Sequence, residues 1–149
     1  MNTEKQVFKT RIDKTFYLMH FAILAVILFL SIYFSYIYKN LSMSNVFFGW
    51  LSVALLFTIT SFLLLKIIIN GDYLMINVGF NIYKIDIKTI NTVQTGKTMW
   101  FGIHKHGTAT KGLIISSKFK NDFYITPQEE ALFLHKLLEI NPTIIIKKD

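Results

Sequence analysis

From Thr15 to Tyr38 the chain reads TFYLMHFAILAVILFLSIYFSYIY, without a charged side chain. A second uncharged stretch runs from Asn40 to Leu65, and its apolar part starts at Val46. A helix needs about 20 apolar residues to cross about 30 Å of hydrocarbon, and both stretches satisfy that without proline. A helix pair buried in a soluble protein would carry a polar face, which neither has. The first run exceeds the apolar core of a cleaved signal peptide, and no small-residue cleavage pattern follows it. A polar turn from Lys39 to Asn45 joins the two, so they are expected as an antiparallel hairpin with both outer ends on one side. Tyr33, Tyr36 and Tyr38, with Phe47, Phe48 and Trp50, would form an aromatic belt at the far interface. Ser31 and Ser35 have the four-residue spacing that lets helices approach closely.

After Lys66 the pattern changes to alternation with period two. Asp72–Val78 and Asn81–Ile87 flank Gly79-Phe80, which predicts a β-hairpin with Tyr83, Ile85 and Ile87 on one face. Further strands are expected at Thr89–Gln94, Trp100–Lys105, Gly112–Lys118 and Asp122–Ile125, with glycines at the turns. Thr126-Pro127-Gln128-Glu129 has the spacing of a capping box with proline at the first helical position. It predicts a helix whose apolar stripe is Phe133, Leu134, Leu137 and Leu138, ended by Asn141-Pro142. The β-branched tail Thr143–Ile146 would pack back or add a strand. The expected fold class is α+β: a two-helix transmembrane hairpin, then an antiparallel β domain with a C-terminal helix. The segments are a basic cytoplasmic leader (1–15), transmembrane helix 1 (16–38), transmembrane helix 2 (46–66) and a cytoplasmic domain (67–149).

Composition sharpens this picture at three points. Hydrophobic residues make up 52% of the 149, which excludes disorder, and the absence of cysteine excludes disulfide staples, thiolate metal sites and Cys nucleophiles. The net charge of +7 is spread along the chain. Lys5, Lys9, Arg11 and Lys14 precede the first apolar run, Lys66, Lys84 and Lys88 follow the second, and Lys39 alone lies between them, so the positive-inside rule places both termini in the cytoplasm. A nucleic-acid surface would need a concentrated basic stripe, which is missing.

The segment Ile85-Asp86-Ile87-Lys88-Thr89-Ile90-Asn91-Thr92-Val93 has the form I-x-I-x-x-I-x-x-V. It is followed by Gly112–Ser116, by Ile125-Thr126-Pro127 and by a helix ending in Asn141-Pro142. In this the chain resembles the bacterial PH-domain membrane proteins over about residues 66–146. The resemblance implies a pleckstrin-homology-like fold, a bent sheet plugged by its last helix, behind one or two membrane helices. Small members of that family include bacteriocin self-immunity proteins of the sublancin-immunity type, so a bacteriocin peptide or a membrane protein is the implied partner. The basic run that reads phosphoinositides in eukaryotic PH domains is absent, with Lys84 the only basic residue in Tyr73–Asp86.

Candidate chemistry is sparse. His104-Lys105-His106 puts two imidazoles on one face if extended, yet a metal needs further ligands and neither Asp, Glu nor Cys lies between Gly96 and Lys120. The expected reading is an exposed, titrating basic loop. Lys97, Trp100, Phe101, His104, Lys105, His106 and Lys111 are the residues expected to meet anionic headgroups or a partner. His20, little more than a turn past Lys14, is expected as an interfacial neutral histidine. No paired carboxylates, Ser-His-Asp arrangement or phosphate loop occurs, so neither enzyme activity nor cofactor is expected. The function so read is a non-catalytic integral protein of the cell membrane, displaying its domain at the inner leaflet for bacteriocin self-immunity or for recruiting a protein partner.

Overall fold

The computed structural model describes residues 5–38, 41–100, 102, 104–118 and 122–148, leaving aside the side chains at 38 and 41–44. The helix pair, the hairpin, the later sheet and the closing helix come in the expected order, with two strands added around the helix pair. The first of these is β1 (Gln6–Lys9), within the segment expected as a basic cytoplasmic leader. It runs into α1 (Lys14–Tyr38), which is followed by α2 (Leu41–Ile59) and one turn of π-helix, Thr60–Leu64. The chain leaves that turn directly as β2 (Leu65–Asn70), which pairs antiparallel with β1, Phe8 opposite Ile67 and Lys9 opposite Lys66. The helix hairpin is therefore inserted between two neighbouring strands of one sheet, and its outer ends both meet that sheet.

β3 (Tyr73–Val78) and β4 (Asn81–Asp86) complete a four-stranded antiparallel sheet in the order β1-β2-β3-β4. A single 3-10 turn, Ile87–Thr89, leads to the second sheet, and the Asp86 carboxylate accepts from the Lys88 backbone N–H at 2.9 Å to start it. That sheet orders as β7-β6-β5-β8, from β5 (Ile90–Lys97), β6 (Gly112–Ser117), β7 (Asp122–Ile125) and β8 (Ile145–Lys148). β8 is the returning tail and pairs parallel with β5. The stretch Trp100–Lys105, expected as a strand, contributes only a bridge between Lys105 and Tyr124.

The two sheets and α3 (Glu130–Ile140) share one core, built from Ile67, Leu74, Ile85, Val93, Leu113 and Phe133 among others. Phe8 belongs to it, 5% exposed, with its ring edge-on to Phe133 at 5.2 Å. Burying side chains of this size contributes roughly 1.5–3 kcal/mol each. The helix starts at Glu130 rather than at Pro127, with no side-chain cap at Glu129. The reason is competition for the capping groups. Thr126 Oγ1 accepts from Thr108 N–H and donates to the Arg11 carbonyl, while Gln128 N–H goes to the Lys9 carbonyl. At the other end Asn141 stops the helix as expected and fills a structural role: its amide donates to the carbonyls of Ile87 and Ile90 at 2.9 and 3.1 Å.

Both α1 and α2 are long and apolar enough to cross a membrane, and nearly all of their apolar surface faces outward. They touch along Phe16, His20, Leu24, Ile27, Ser31 and Phe34 on α1, a spacing of three and four. Ser31, fully buried, returns its hydroxyl to the Ile27 carbonyl at 2.7 Å, so a small residue sits at the contact without an orphaned polar group. Phe34 stacks on Phe47 at 4.7 Å near the far end. Of the polar turn expected between the helices, residues 39 and 40 lie outside the described residues.

Candidate functional site at the helix–sheet junction

Where the helix pair meets the first sheet, register decides what faces what. Leu65 pairs with Val78, so the turn Gly79-Phe80 lies level with the last helical residue, Leu64. Gly79 has φ +80°, a backbone that only glycine adopts freely, and a Cβ there would stand 3.8 Å from Leu64 Cδ1. The hairpin tip thus lies against the foot of the helices and presents Phe80, 71% exposed, beside exposed Leu63 and Ile82. The alternating pattern located this hairpin, but a phenylalanine at a turn was the one signal that its tip faces something apolar.

The loop between β5 and β6 forms the other side. The His104 C=O and the His106 N–H are set by β7: Tyr124 N–H donates to the His104 carbonyl at 3.1 Å, and His106 N–H donates to the Tyr124 carbonyl at 2.9 Å. This extended pairing puts both imidazoles on one face, as the spacing predicted. They are not exposed, however, because that face packs on the sheet: each ring lies 5.0 Å from Tyr83, and His104 lies 4.8 Å from Phe123. Burial first, and the neighbouring His104 second, hold the His106 ring below its ordinary pKa. His104 Nδ1 and His106 Nε2 are enclosed with no hydrogen-bond partner among the described residues. No group of three or more metal-ligating side chains forms there, again among the described residues. The expected titrating basic loop is therefore an aromatic–imidazole packing unit, with half-buried Lys105 as its cation.

Lys105 Nζ donates to the Trp100 carbonyl at 3.3 Å and lies 5.9 Å from the Trp100 ring, which is 64% exposed. Ile82 and Lys105 line the same cavity, so the strand that follows the Phe80 tip and this loop face each other across it. Phe101 lies outside the described residues. Lys97 is exposed at the end of β5, and Lys111 is exposed beyond the loop with its backbone tied elsewhere. The Lys111 N–H donates to Thr98 Oγ1 at 2.8 Å, and its carbonyl accepts from Arg11. The structure therefore brings His104 and His106 to one face of the loop, against the sheet, turns Lys105 between them to Trp100, and sets Lys111 on the side that clamps the chain before α1.

That clamp was invisible in the sequence. Arg11, the only arginine, forks one nitrogen between the carbonyls of Thr110 and Lys111 at 2.6 and 2.9 Å. Asp13 accepts from the Thr110 N–H and hydroxyl at 2.7 and 2.6 Å. The Thr110 hydroxyl bond, reinforced by its backbone bond and by Arg11, holds the Asp13 carboxyl below its ordinary pKa against the opposing effect of burial. Gly107 completes the fit: a Cβ there would meet the Tyr124 ring at 2.4 Å. That ring cannot yield, because its hydroxyl donates to the Ala109 carbonyl and accepts from Gly112 N–H.

His20 closes the junction from the helix side. It is 7% exposed, with its ring 4.1 Å from Phe16 and within 6 Å of Phe57 and Phe62, and its Nδ1 meets the Phe16 carbonyl at 3.0 Å. Between these aromatic rings, the hairpin and the loop lies a cavity of about 370 Å³, which Phe57, Val78, Ile82, Lys105 and Thr108 help to line.

The sequence model of the bacterial PH domain matches residues 65–141, from the start of β2 to the end of α3. The chain is also similar to the uncharacterized protein YyaB of Bacillus subtilis (strain 168), 31% identical over 103 residues, which are 66% of this chain and 70% of that protein. No solved structure gave a significant match.

Proposed function

The chain belongs to the bacterial PH domain family, and from that premise we propose that it is a non-catalytic, multi-pass protein of the cell membrane. Both termini are cytoplasmic, and the domain rests on the inner leaflet by the Phe80 tip and the Trp100–Lys105 loop. One observation carries this reading: an exposed apolar helix pair emerges from between β1 and β2, with the exposed Phe80 tip of the β3–β4 hairpin at its foot. Basic residues flank the hairpin on the sheet side, in keeping with the positive-inside rule. Arg11, Asp13, Thr108 and Thr126 spend their polar groups on backbone atoms that hold the fold. That leaves binding rather than chemistry as the work of the surface.

The finer role is self-protection against a membrane-acting peptide such as a bacteriocin, which the domain would meet at the bilayer. Recruitment of a protein partner is the second reading, favoured by the exposed Trp100 on a loop of its own. A reporter fused after Ser44 is expected to behave as external and one after the C-terminus as cytoplasmic. The reverse pattern overturns the topology. Expression in a peptide-sensitive strain is expected to raise survival. Unchanged killing overturns protection and leaves recruitment, for which deletion of Trp100–Gly107 is expected to release a cross-linked partner.

A further inference from the structure

The cavity at the junction does not end at the helices. A second hollow of about 140 Å³ runs along the helix pair and is lined by Ile23, Leu24, Ala54 and Thr58. The two share Met19, His20 and Phe57 as lining, so they adjoin and mark a surface groove that leads from the β5–β6 loop onto the helix pair. Its walls change character along its length. In the helix stretch the lining is mostly apolar, and Thr58 and Thr60 turn their hydroxyls back on their own helix, to the Ala54 and Phe57 carbonyls, with His20 and Ser61 the other polar side chains there. At the sheet end the lining includes Lys105 and His106 and, among the described residues, no carboxylate. The Lys105 ammonium has three donors, and the Trp100 carbonyl takes one of them.

We propose that this groove holds one anionic phospholipid of the surrounding bilayer. Its phosphate lies at Lys105, and one acyl chain runs past His20 and Met19 to Ala54. The occupant follows from the gradient of the walls. A soluble anion would leave the long apolar part unfilled, and a neutral hydrocarbon would leave the cationic end unmatched. Of the two ends, only the one at the sheet offers a charge, which fixes the orientation of the lipid with its headgroup on the domain side. The combined cavity falls in the ordinary size range of small-molecule sites. This inference rests on the reading that α1 and α2 span the membrane.

Native mass spectrometry of the full chain in mild detergent tests it, with phosphatidylglycerol or phosphatidylcholine of matched chains added. One phosphatidylglycerol is expected to stay bound under conditions that strip phosphatidylcholine. Lys105→Glu at the mouth and Ala54→Phe inside the groove are each expected to weaken retention about tenfold, as a reversed charge near a phosphate and a blocked chain path would. Equal retention of the two lipids, or retention unchanged in both variants, overturns the proposal. Displacement by glycerol phosphate as effective as by phosphatidylglycerol overturns it too, since the acyl chain would then contribute nothing. Alkaline extraction of the same membranes separates the two levels. A chain released by it is not integral, and both readings fall; a chain that stays but keeps no phosphatidylglycerol overturns the lipid site alone.

Discussion

Asp13 shows how much a single position can carry at a junction. It stands one residue before α1 and fastens the entry of that helix to Thr110, whose neighbours Thr108 and Lys111 are tied to Arg11. With its folded pKa depressed, the Asp13 contribution to stability is complete above the ordinary carboxyl pKa and is lost as pH falls through the lower folded value. Thermal unfolding of the full chain in detergent is expected to show an acid-side decline that Asp13→Ala removes. At neutral pH that variant is expected to lose about 1–3 kcal/mol, since two Thr110 donors are left without their acceptor. The residue types here were plain in the sequence, but their roles were not. Arg11 read as a topology charge because its carbonyl partners lie 99 and 100 positions away, beyond the reach of any periodic pattern. His104 and His106 were legible in part: the two-residue spacing put them on one face, while nothing local said that Tyr83 would cover it.

At the scale of elements, the clearest signals were those that needed no partner. The helix pair followed from length and apolarity, and β3, β4, β6 and β7 from alternation between turns. β2 was lost because Ile67, Ile68 and Ile69 are all buried and resume the apolar run of α2 after a single charge, Lys66. A fully buried strand and the end of an apolar helix look alike at that length. β1 was lost for the opposite reason, since Gln6–Lys9 has one core residue among polar and exposed ones. Phe8→Ala is expected to cost about 3–5 kcal/mol, as deletion of a core phenylalanine does. Val7→Ala, half exposed on the same strand, is expected to stay within about 0.5 kcal/mol. Chemical denaturation of both variants checks the contrast, and equal effects would show that β1 is not part of the core.

For the molecule as a whole, the division into leader, hairpin and domain gives way to one body in which the hairpin interrupts a sheet. The β domain grips both helices at their roots, through β1 and the Arg11–Asp13 clamp on one side and through β2 on the other. In the proposed arrangement, its depth in the headgroup region is set by the hairpin tip. Phe80→Ser is expected to reduce quenching of a fluorophore placed at Ile82 by brominated lipid, with the fold intact by circular dichroism. Unchanged quenching would mean that the tip does not enter the interface. The pairing of β1 with β2 also carries a consequence for how the chain is made. Thr10 bonds to Leu65, 55 positions later, so β1 leaves the ribosome long before its partner strand exists. The intervening chain is the apolar hairpin, and on the proposed topology synthesis brings it to the insertion machinery first. Insertion would then bring the two strands together on the same side and make membrane integration the step that permits the sheet to close. Chains that miss the membrane would keep an unpaired β1 edge and an open core, a state that proteolytic quality control can recognise.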